Sequence, residues 1–164
     1  MKLDLSHLNK SALSAVLFIC VYHVFSLLIH GSFIVALMFL CAAVFCARTL
    51  INEQIHTHKP FHNKYTYILS SVWLSLIVLL FTSHNQATSI GIWFCILMLC
   101  TSILIRPAHS LKLNSIALII FWIFAFLESG KSFEYIEGAL ALTVVLMLSG
   151  IIQTLILHLE AELI

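Results

Sequence analysis

Six apolar runs, each about as long as a bilayer is thick, constrain this chain more than any other feature. They cover approximately residues 11–30, 32–51, 66–83, 88–105, 112–128 and 136–158. Crossing about 30 Å of hydrocarbon takes a helix of roughly 17 to 25 predominantly apolar residues. Lipid offers the backbone no hydrogen bonds, so each run must satisfy its own N–H and C=O groups, which a single segment can do only as a helix. Composition agrees, with 62 % of residues hydrophobic and 9 % charged, where a soluble domain carries about 25 % charged residues. The first run is too long for a secretory signal and leads into further runs, so no cleavage is expected. The expectation is therefore an all-α, polytopic integral membrane protein with a six-helix transmembrane domain over residues 1–158.

The links alternate between very short and longer: "HGS", "NEQIHTHKPFHNKY", "HNQA", "RPAHSLK" and "SGKSFEY". A very short link forces antiparallel neighbours, which predicts three helical hairpins. The basic residues then separate by side. Lys2, Lys10, Arg48, Lys59, Lys64, Arg106 and Lys112 fall on one side and only Lys131 on the other. Segments rich in Lys and Arg stay cytoplasmic. This predicts a multi-pass protein of a cytoplasmic membrane, with both termini in the cytoplasm and three short links outside. Those links are too small to form a ligand-binding domain, so an external signal would have to be read within the bundle or at its rim. Trp73, Trp93 and Trp122 are expected as interfacial anchors and packing groups.

Nine histidines are the most unusual feature of the composition. His56, His58 and His62 share the second link, where neutral imidazoles are weak candidates for Zn or Cu. A tetrahedral site needs further ligands, and only Glu53 is near in sequence, so no metal site is expected. His23 and His30 lie seven residues apart on roughly one face of the first run. An imidazole in the hydrocarbon region is costly unless it faces the bundle, where it either bonds a neighbouring helix or reads a ligand, haem or proton. At the outer rim, His30, His84, Glu128, Glu134 and Glu137 are expected at one membrane level, where they could bind a cation, titrate together, or simply meet water. These six residues, His23 included, are the candidate sensing groups. The sequence requires no cofactor. The five cysteines all fall within apolar runs and read as small packing residues.

Enzyme motifs are missing from the sequence. There is no G-x-S-x-G, no H-E-x-x-H, no P-loop and no dinucleotide fingerprint. No catalytic residue is expected. Membrane lipid is the expected partner, and nucleic acid is not. A transporter is also poorly matched, since only His23 and Gln153 lie deep in a run.

The last run ends as "IIQTLILHLEAELI". Ile152, Ile156, Leu159 and Leu163 recur at spacings of four, three and four, a heptad seam that begins in the bilayer and continues past His158 beside Glu160 and Glu162. One turn of such a seam is not stable alone in water. Residues 159–164 are accordingly expected to begin a cytoplasmic coiled-coil signalling helix that continues in further chain.

This layout resembles the N-terminal membrane region of bacterial diguanylate cyclases that carry MASE-type membrane sensors ahead of a GGDEF domain. The resemblance rests on six spans, both ends inside, negligible outer loops and the terminal "LHLEAELI" helix. It implies a homodimeric input module whose last helix governs synthesis of cyclic di-GMP from two GTP by a downstream domain. The catalytic GG(D/E)EF motif is absent here, so no catalytic residue carries over. Membrane histidine kinases share the layout. The alternative is a complete small membrane protein, such as a transporter or channel subunit or an immunity protein against a pore-forming toxin.

Overall fold

A computed structural model of the chain describes residues 5–30, 33–53, 63–82, 87–105, 107–128 and 134–163. These form six helices: α1 (Leu5–His30), α2 (Phe33–Glu53), α3 (Asn63–Thr82), α4 (Ala87–Leu104), α5 (Pro107–Glu128) and α6 (Glu134–Leu163). No strand occurs among the described residues. All but α4 are long and apolar enough to cross a membrane, and α4 contributes the apolar stretch Ile90–Leu104. The helices outrun the apolar runs at several ends. Most notably, α5 begins at Pro107, where a residue without an N–H costs no hydrogen bond and its fixed φ suits the first helical position. Just before it, the Ile105 N–H bonds the Thr101 carbonyl at 3.0 Å and closes the last turn of α4.

The distribution of side chains is that of a body solvated by lipid. Phe18, Phe25, Ile29, Ile34, Phe126 and Met147 face outward. Buried polar side chains include His23, Thr101, Ser102, Ser110, Asn114, Ser149 and Gln153. In water the order would be reversed. Serine and threonine hydroxyls find acceptors one turn back on their own helix, as in Thr101 to the Leu97 carbonyl at 2.7 Å and Ser75 to the Ser71 carbonyl at 2.9 Å.

Helix α4 is the hub, packing against α1, α3, α5 and α6. The pairs α1–α2 and α5–α6 lie along one another, whereas α4 is engaged more extensively by α6 and α1 than by its sequence neighbour α3. The centre is aromatic. Phe121 of α5 is 1 % exposed. Its ring lies 3.7 Å from where a Cβ on Gly91 of α4 would stand and 3.5 Å from one on Gly138 of α6. Two helices approach one ring at positions that lack side chains, which is how small residues bring membrane helices together. Gly138→Ala should therefore be tolerated, since 3.5 Å is ordinary contact. Gly138→Leu should cost about 1–3 kcal/mol by overpacking, read from a denaturant titration in mixed micelles.

Two of the tryptophans serve as packing groups between helices. Trp73 is buried at 3 % exposure, and its Nε1 donates to Thr101 Oγ1 at 3.0 Å. Trp122 Nε1 donates to Thr143 Oγ1 at 3.2 Å. An indole N–H away from water needs an acceptor, and a threonine on an adjacent helix supplies one. Cys46 is likewise more than filler, since its thiol donates to the Leu13 carbonyl at 3.3 Å across α1 and α2.

Candidate functional site

His23 lies where α1, α2 and α4 meet. It is 5 % exposed. Phe39 of α2 stacks on the imidazole at 4.9 Å and 26°, and Trp93 of α4 meets its edge at 5.2 Å and 72°. Tyr22 closes a third side at 5.3 Å and itself packs on Trp93 at 4.9 Å. Flat rings from three helices thus box the imidazole, and its Nε2 has no hydrogen-bond partner among the described residues. A buried polar atom without a partner costs about 1–3 kcal/mol, so the site is suited to accept or donate one hydrogen bond, depending on tautomer. Alternation along α1 explains the geometry. Cys20 and Leu27 turn inward with His23, while Phe25 and Leu28 face lipid.

Of the remaining candidates, the structure describes the side chains of Glu128 and Glu137. Glu128 ends α5 half-buried, and Glu137 is exposed on the first turn of α6. Phe81 of α3 meets Phe124 of α5 at 5.7 Å, and Phe124 meets Tyr135 of α6 at 5.5 Å. The ends of α3 and α5 and the start of α6 therefore share one end of the bundle. His84, His56, His58 and His62 lie outside the described residues, as do the side chains of His30 and Glu134. Among the described residues, no group of three or more His, Cys, Asp or Glu is placed to hold a metal ion.

On α6, Ile156 is buried at 7 % exposure and Ile152 and Leu159 are half-buried, so this part of the seam turns toward the bundle. The side chain of Leu163 lies outside the described residues. The fully outward stripe is Val144, Leu148, Ile151 and Leu155, also spaced four, three and four. His158 and Glu162 continue it and pair at 3.2 Å.

A polar layer between α4, α5 and α6 escaped sequence reasoning. Asn114 Nδ2 lies 3.4 Å from both the Met98 carbonyl and Ser102 Oγ. Ser110 is fully buried one turn away on the same face of α5, and Ser149 and Gln153 are buried on α6. The available signal was Pro107. Taken as the first residue of a helix, it would have added Ser110 to α5 at i, i+4 with Asn114, which the expected run already contained.

No protein-family model matches the chain, and no curated protein or solved structure matches it.

Proposed function

We propose that the chain is a membrane-embedded sensory input domain that controls a cytoplasmic output domain, of the diguanylate cyclase kind, by moving α6. The observation that carries this reading is the path through α4. Trp93 of α4 forms one wall of the His23 box, and the same helix is the main partner of α6. A change at His23 thus bears on the element against which α6 rests. Helix α6 is itself 30 residues long, or about 45 Å at 1.5 Å per residue, against about 30 Å of hydrocarbon. It reaches beyond the lipid as one unbroken helix, and the charge asymmetry directs that end to the cytoplasm.

Magnitudes limit what His23 can do. One interhelical hydrogen bond in a membrane contributes about 0.6 kcal/mol and at most about 1.7. Complete switching from 1:99 to 99:1 needs about 5.5 kcal/mol. A stimulus acting through His23 Nε2 alone therefore biases the bundle by about threefold, and by at most about eighteenfold. Larger responses require contacts that a ligand makes elsewhere in the same state.

The test joins the chain at its carboxyl end to a diguanylate cyclase catalytic domain and measures cyclic di-GMP across a pH and ligand screen. His23→Phe keeps the ring packing and removes the polar nitrogens, and Glu137→Gln removes a rim charge. Each should alter output, His23→Phe by about threefold and by at most about eighteenfold. Unaltered output across the screen would sink the sensing role of these residues.

A further inference from the structure

Three contacts fix how α5 and α6 run past each other. Phe124 meets Tyr135, Phe121 meets Gly138 and Trp122 bonds Thr143, so the helices are antiparallel. Extending that register along both helices brings Asn114 opposite residues 145–151 and Ser110 opposite 149–155. Ser149 and Gln153 fall in these windows, and both are buried. On the α4 side, Met98 and Ser102 meet Asn114 at the same level. Six residues of three helices thus fall in one layer of the bundle.

Within that layer three polar atoms have no hydrogen-bond partner among the described residues: Ser110 Oγ, Asn114 Oδ1 and Gln153 Nε2. Their side chains belong to residues that are 0 %, 1 % and 8 % exposed. The amide orientation of Asn114 is set by its neighbour, because only the NH₂ group can face the Met98 carbonyl. The unmet groups are complementary: an acceptor, a donor and a hydroxyl that is both. All are neutral, which argues against a bound ion, since an ion in this setting needs a countercharge. Water satisfies such a set, offering two donors and two acceptors, and buried waters typically make about three hydrogen bonds to unmet polar groups.

We infer that this layer is an internal water-binding site, in which water bridges Ser110 and Asn114 of α5 to Gln153 of α6. The site stands independently of the sensory reading. It makes the α5–α6 contact a polar clasp near the end of the bundle where α4 meets α5, in a protein whose other interhelical contacts are mostly rings and aliphatic groups.

Hydroxyl labelling by X-ray radiolysis of the whole chain in lipid nanodiscs, read by mass spectrometry, tests the site directly. Bound water generates radicals in place and oxidises what it touches. Met98 is fully buried beside the layer, Met147 faces lipid, and exposed His158 calibrates the dose. Met98 should be oxidised several-fold more than Met147 despite its greater burial. A second measurement uses thermal unfolding of Ser110→Ala and Gln153→Met. If water bridges these groups, each variant lowers the midpoint, and the double variant lowers it little more than either alone because both lose the same bridge. Met98 labelled no more than Met147, or a midpoint raised by Gln153→Met, would overturn the proposal, since removing a truly unpaired buried donor stabilises.

Discussion

Phe121→Ala is expected to destabilise the bundle by about 3 kcal/mol, near the low end of what removing a buried phenylalanine costs in soluble proteins. The low end applies because lipid is as apolar as the interior, so the transfer contribution largely vanishes and lost packing remains. That packing is concentrated here. The ring fills the space between Gly91 and Gly138 and meets Phe94 at 5.4 Å and Phe124 at 6.4 Å. With both facing positions glycine, neither offers a side chain that could move in to close the cavity. Phe25→Ala, by contrast, truncates a ring that is 64 % exposed to lipid and should fall within about 0.5 kcal/mol of the parent. Denaturant titrations of the two variants in mixed micelles separate a bundle built around Phe121 from one held together by lipid alone, in which the two losses would be similar.

The existence of six helices was legible because 20-residue apolar runs admit no other structure in lipid. Their ends were less legible. Helix α5 gains its first turn from Pro107, which the hydropathy of the run does not register, and with that turn comes Ser110 of the polar layer. His23 was legible as a costly residue that must face inward. Its partners were not, because Phe39 and Trp93 lie on helices whose rotation depends on tertiary packing, and rings are too frequent in such a chain to single out. The position of α4 at the centre was equally hidden. Hairpin logic pairs it with α3, whereas Gly91 of α4 and Gly138 of α6 let both helices close on the Phe121 ring of α5.

The burial of α6 adds a constraint on any output mechanism. Within the membrane, Ile156 turns toward the bundle and the outward stripe runs through Leu148, Ile151 and Leu155. Rotation of α6 by about 100°, the angle between successive residues at 3.6 per turn, would exchange one stripe for the neighbouring one. Such a rotation is a discrete repacking of a close-packed interface, which supplies the two-state element that any population shift requires. An output domain attached to α6 would then be sensitive to the angular phase of the helix and far less to its length.

Inserting one to seven residues directly after Leu163, ahead of a fused diguanylate cyclase domain, tests this most directly, with cyclic di-GMP as the readout. If α6 transmits by helical phase, output should rise and fall with a period of about 3.6 residues, inserts of three or four and of seven restoring what inserts of two and five abolish. Output that stays flat or decays smoothly with insert length would contradict a signalling role for α6.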